Sequence, residues 1–259
     1  MQVQLPQIAG GTVAAYILVL CRIGPLFLLA PIFSSRLIPA RAKLIAAGSI
    51  TFALAPLALK GQVVSTDPVT LAFDIFKEIG VGLVFAFVIA AIGSAAAAGA
   101  ALMDTMFGFS YGALIDPVSN IQNTPLGQLY SLFTAMVFVT TGGDQIMVMG
   151  LSRSYEVLPL DHFPTLNIFA GAALVGIGKI FLIGLMLVAP VVIALLVTDA
   201  AFALVSRAVP QMNVFQLGIP VKILMGFGVI AASLPFVAVH IRDDLASAVV
   251  AALGAIGGR

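Results

Sequence analysis

Two cations, Arg22 and Lys179, stand inside long apolar runs, and their placement is the first feature that asks for a chemical reason. A charge at such depth is expensive, so each is a candidate for an ion or substrate path. The competing reading is that each is paired within a protein interface or reaches a polar edge along its own alkyl stem. A proton relay would want several carboxylates or histidines in line, and these runs do not supply them. Asp104, Asp144 and Asp199 fall at predicted helix ends, where hydrated caps are the simplest reading. Thr141-Gly142-Gly143-Asp144 comes nearest to the Gly-x-Gly-Asp element of intramembrane aspartyl proteases but lacks its first glycine. His162 and His240 are far apart, and neither has a serine or cysteine in a nucleophile context. Cys21 is the single cysteine, and no Cys-x-x-Cys, His-Glu-x-x-His or glycine-rich phosphate cradle occurs. The sequence therefore predicts no catalytic residue, no metal and no cofactor.

The elements that carry these residues belong to a membrane protein. Of 259 residues 61% are hydrophobic and 9% charged, far from the composition of a soluble enzyme. A formal charge of +1 gives no electrostatic case for nucleic acid. Arg22 is the only charge before Arg36 and lies within the first apolar run rather than ahead of it, so a cleavable signal is not expected. Runs long enough to cross a bilayer cover 13–33, 79–103, 166–198 and 223–241; 44–59 and 126–143 are shorter. The third run reads as one tilted helix or two. Polar joints are expected near 34–43, 60–78, 104–125, 144–165 and 199–222.

Several features fit poorly with a bundle bathed in lipid. Six spans would place five Lys and Arg on each side, so the positive-inside rule sets no orientation. Tryptophan is absent and tyrosines number four, which removes the usual aromatic belts. Pro25, Pro31, Pro56, Pro190 and Pro235 lie in or beside apolar runs, where each deletes a backbone donor. Broken helices in hydrocarbon need neighbouring protein, so much of the apolar surface is expected to face other subunits. Residues 91–101 are small except Ile92 and read as a packing face, within the chain or against a partner. The expected fold is all-α: a polytopic membrane-complex protein of six to seven helices arranged as proline-kinked helical hairpins, in a single domain over 1–259.

From Arg22 the chain reads R-I-G-P-L-F-L-L-A-P-I-F-S-S-R-L-I-P-A-R-A-K-L, followed by A-P-L at 55–57. It continues with G-F-S-Y-G-A-L-I-D-P (108–117), Leu158-Pro159, A-P-V-V-I-A-L-L (189–196) and R-A-V-P-Q-M-N-V-F-Q-L-G-I-P-V-K (207–222). In this order and over nearly the whole chain, the pattern resembles the FliR family of flagellar type III export-gate proteins, whose injectisome counterpart is SctT. The segment with Pro210, Gln211, Asn213, Phe215, Gly218 and Pro220 resembles the flagellar branch more than the virulence branch. The resemblance implies a non-enzymatic subunit of the channel through which unfolded flagellar proteins leave the cell. It implies FliP-like and FliQ-like partners in a helical hetero-oligomer, FlhB-like and FlhA-like export components beside it, and a place in the bacterial inner membrane within the flagellar basal body.

In the family a loop projects into the channel as a plug, and the matching residues here are Phe107, Gly108, Phe109, Tyr111, Gly112, Leu114 and Ile115. Bulky apolar groups on a glycine-hinged loop can close a pore by packing or dewetting. The alternative is that Gly108-x-x-x-Gly112 is a helix contact and the aromatics are core. Asp116 and Pro117 read as a turn or helix start that fixes the loop. The family often carries Gly-Glu ahead of this loop where this chain has Ala100-Ala101, and Asp104 could take over part of that glutamate's role. A function of another class, a self-contained secondary transporter with Arg22 or Lys179 at its substrate site, would want inverted repeats that the sequence lacks.

Overall fold

Long stretches of leucine, alanine, isoleucine and valine can satisfy their own backbone in apolar surroundings only as helix. In the computed structural model the described residues are 10–30, 33–34, 38–59, 64, 66–109, 125–162, 167–211 and 214–257, and they form seven α-helices and no strand. These are α1 (Gly10–Leu29), α2 (Ala40–Ala58), α3 (Pro68–Phe107), α4 (Pro125–Thr140), α5 (Gly143–Val157), α6 (Asn167–Ala208) and α7 (Val214–Ile256). The chain is an all-α polytopic membrane protein: five helices are long and apolar enough to cross a bilayer, and α4 with α5 make a sixth candidate.

Three of the expected polar joints are largely helical. Residues 60–78 already include the start of α3, 144–165 hold most of α5, and 199–222 leave only the short break between α6 and α7. Asp199 consequently sits inside α6 rather than at a helix end. The run over 166–198 is one helix of 42 residues, which passes through Pro190. At 1.5 Å per residue α3, α6 and α7 each measure about 60 Å, twice a hydrocarbon core of about 30 Å. Their polar ends extend the helix beyond any apolar window, so hydropathy alone underestimates them.

Asp67 and Pro68 start α3 as N-cap and first helical residue. The Thr70 amide donates to Asp67 Oδ2 at 3.0 Å and the Thr70 hydroxyl at 2.9 Å. These bonds hold the carboxyl below the usual carboxylate range. A lowered folded-state value means the cap stabilises fully above the ordinary carboxylate range and is lost as pH falls through the depressed value. Asp67→Ala should therefore fray the start of α3 at neutral pH and matter little in strong acid, as hydrogen exchange of the Thr70 amide would report.

The chain divides into two compact units, one of residues 1–90, 142–177 and 245–259, the other of 91–141 and 178–244. The first buries Leu18, Ile23 and Leu26 of α1, Val81, Phe85 and Ile89 of α3, Met147 and Leu151 of α5, and Ala248 and Ala252 of α7. In the second, the small-residue face of α3 packs on α6: a Cβ on Gly99 would stand 2.5 Å from the Gly184 carbonyl, and one on Gly184 2.8 Å from the Ala95 carbonyl. Backbone cannot yield as a side-chain tip can, so Gly99→Val should abolish stable protein, measured as loss of the chain from membranes. Thr134, buried on α4, has no hydrogen-bond partner for its hydroxyl among the described residues. Thr134→Val, of the same shape, should leave thermal stability equal or higher.

Candidate functional site

Arg22 reaches its partners because α1 presents it on the face that packs in the first unit, where it is fully buried. Its Nε donates to Glu78 Oε2 at 2.5 Å and Nη2 to Glu78 Oε1 at 3.1 Å, a two-pronged pair on α3. Nη1 donates to the carbonyls of Ser154 at 3.2 Å and Leu158 at 2.9 Å. The guanidinium thus caps the C-terminus of α5, where the helix dipole favours a cation, and lies 4.3 Å from the Tyr155 ring centroid. Beside it the buried Lys77 donates to Asp74 Oδ1 at 3.0 Å and to the Leu160 carbonyl, with Glu78 at 3.6 Å. Two cations face two carboxylates, so the cluster is neutral. A Cβ on Gly82 would collide with the Arg22 backbone, so this glycine lets α1 and α3 approach closely enough for the pair to form. An enclosed guanidinium with all three nitrogens engaged offers no open side to a substrate. Glu78 and Lys77 were not among the residues singled out from the sequence; the signal was Asp74-x-x-Lys77-Glu78 at helical spacing just before the apolar run.

Lys179 occupies the second unit, half-buried on α6, within Coulombic range of Asp244 on α7. His240 and Asp243 act on the same carboxylate. Farther along, Lys222 of α7 pairs with Asp199 of α6. Pro210 and Gln211 stand exposed just past α6, and Pro220 is exposed within α7. Gly218 is buried, with the Phe202 ring 3.9 Å from where a Cβ would stand. Phe215 lies in the first turn of α7. Asn213 lies outside the described residues, as do Tyr111, Gly112, Leu114, Ile115, Asp116 and Pro117.

The described part of the expected plug begins at the end of α3. The Phe109 amide donates to the Asp104 carbonyl at 3.0 Å and the Gly108 amide to the Thr105 carbonyl at 3.1 Å. This pattern ends a helix on a left-handed residue, and Gly108 has φ 88°. Gly108 therefore terminates α3. Phe107 is buried in a notch of α7, where a Cβ on Gly226 would overlap its ring. Phe109, half-buried, stacks on Phe107 with centroids 5.5 Å apart, and Phe227 tilts against Phe107 at 5.8 Å.

Asp104 is not the hydrated cap expected from its position. It is fully buried, with Oδ1 accepting from the Leu126 amide and Oδ2 from the Gly127 amide, each at 3.2 Å. Because Pro125 has no N–H, these are the first free donors of α4, and Asp104 caps that helix from a distance in sequence. Asp104 thus serves a helix end as a cap, but a buried one rather than a hydrated one.

Residues 13–248 match the family described as bacterial export proteins, family 1. The chain is similar to the flagellar biosynthetic protein FliR of Escherichia coli (strain K12), 31% identical over 223 residues that cover 85% of this chain and 84% of the relative. It is similar to FliR of Bacillus subtilis (strain 168), 27% identical over 88% of this chain and 89% of the relative. The surface presentation of antigens protein SpaR of Shigella flexneri is 28% identical over 81% and 80% of the two chains.

Proposed function

We propose, from the premise that this chain belongs to the FliR family of bacterial export proteins, that it is a structural and gating subunit of the type III channel that passes unfolded flagellar proteins. The observation that carries this reading is the family match across residues 13–248, which reaches into all seven described helices. Relatives named flagellar biosynthetic protein and surface presentation of antigens protein both support a subunit of an export apparatus. The gate reading adds that Phe109 and the residues after it close the pore, with Phe107 as the buried backing against which Phe109 stacks. Helices twice the length of a bilayer's hydrocarbon core, with broad apolar faces such as Phe181, Leu185 and Leu224 left uncovered, support burial against FliP-like and FliQ-like subunits in the inner membrane. FlhB-like and FlhA-like export components would stand beside it.

The chain's own contribution is then packing and closure, without catalysis. Purified protein should turn over no ATP above the level of contaminants. Cells lacking the chain should lose export of flagellar proteins to the medium, and the gene supplied in trans should restore it. Export at the normal level in its absence would overturn the proposal.

A further inference from the structure

We propose that the first unit carries a lipid site: an apolar slot between α3 and α6 that takes one acyl chain of a phospholipid whose headgroup bears an ammonium group. The slot is formed by two glycine notches. Phe169 of α6 lies over Gly80 of α3, where an added Cβ would stand 3.0 Å from its ring, and Phe87 of α3 lies over Gly176 of α6, where an added Cβ would overlap the ring. The two pairs are in parallel register, seven residues apart on each helix, or about 10 Å. Between the rings α6 offers only Ala172 and Ala173, and the space left by these short side chains is a cavity of about 270 Å³ flanked by Leu83 and by Leu29 of α1. Phe169, Leu83 and Leu29 are partly exposed, so the slot opens to the outside of the unit. A cavity lined by carbon gives water no hydrogen-bond partner and takes up apolar matter instead.

The surroundings of the slot select a lipid as its occupant. Its walls belong to α1, α3 and α6, each long and apolar enough to cross a bilayer, so its mouth opens where acyl chains are the medium. Lys77, Gly80, Val84 and Phe87 follow one another at i, i+3, i+7 and i+10, which continues the slot along one face toward the polar start of α3. At that end the cation is answered from inside, because Lys77 is buried and donates to Asp74 Oδ1 and to the Leu160 carbonyl. The next residue, Asp161, is exposed, and the hydrogen bond from His162 holds its carboxyl below the usual carboxylate range. A carboxylate outside and a neutralised cation inside favour an ammonium over a headgroup of net negative charge. The site needs only the membrane setting of these three helices and is independent of the gate.

The test places the purified export complex in vesicles of phosphatidylethanolamine and phosphatidylglycerol, with one or the other lipid carrying a diazirine on its acyl chain, and maps the labelled peptides after irradiation. The expected label concentrates on residues 83–87 and 169–173 and is stronger from the ethanolamine lipid. Ala173→Leu, which fills the slot from its part-exposed floor, should abolish that label. Leu174→Ala, on the exposed face beside the slot, should leave it in place. Asp161→Asn should keep the label and remove the preference between headgroups. If Ala173→Leu lowers the yield of complex, Ala173→Val carries the same comparison. Label spread evenly over the exposed face of α6, or unchanged when the slot is filled, would overturn the site. A partner polypeptide seated in the slot in the structure of the assembled complex would overturn it as well. Equal labelling by the two lipids would overturn the headgroup assignment.

Discussion

Glu78→Ala should remove most of the chain from the membrane. The substitution leaves Arg22 fully buried with its two-pronged partner gone, and deprives Lys77 of a second carboxylate at 3.6 Å. Breaking a buried pair from one side costs about 3–5 kcal/mol, because an uncompensated charge remains. A loss of that size is a large part of the stability of any single domain. The double variant Arg22→Met/Glu78→Leu removes both charges and keeps the volume, so it should recover a substantial share of the protein that the single variant loses. It should not recover all of it, because Arg22 also serves the Ser154 and Leu158 carbonyls at the end of α5. Quantifying the chain in membranes, with thermal stability of what remains, checks the order: unaltered protein above double variant above Glu78→Ala. Glu78→Ala at the unaltered level would show that the cluster is dispensable.

The second large effect separates two aromatic residues that lie side by side. Phe107→Ala empties the Gly226 notch and should cost about 3–5 kcal/mol as a core truncation, read as lost protein. Gly226→Ala should do similar harm by driving a methyl group into the same ring, and Phe107→Leu combined with it should recover part of the loss. Phe109 is half-buried and stacks from outside, so Phe109→Ala should leave the complex assembled; under the proposed gate it should let ions through, as should small residues at Tyr111 and Leu114. The sign follows from dewetting: fewer bulky apolar contacts favour the wetted, conducting pore. Ion flux measured beside the yield of complex distinguishes these outcomes. Tight membranes with normal yield for Phe109, Tyr111 and Leu114 together would contradict the gate assignment.

How much of this was legible beforehand depended on whether the deciding contact was local. The helices followed from apolar runs, yet their ends did not, because a hydropathy window stops at the first cluster of charges while α3, α6 and α7 continue through theirs. Glu78 falls outside such a window for that reason, one residue before the apolar run that opens at Ile79. The depth of Arg22 predicted that it would need partners; only the packing of α1, α3 and α5 could name them. The small face of 91–101 was readable as a packing surface, but Gly184 as its counterpart was not. Asp104 shows the limit most clearly. A short polar residue at a helix end is read as a hydrated cap, whereas the first amides of α4, at Leu126 and Gly127, need acceptors that tertiary structure supplies with this buried carboxylate.

Extraction of the membrane in mild detergent, followed by purification through a tag on this chain and determination of the particle's mass and composition, tests the export-gate account most directly. The expected result is one stable hetero-oligomer in which this chain is joined by smaller helical subunits that cover its exposed apolar faces. A monodisperse lone monomer, stable and free of partners under the same conditions, would contradict it.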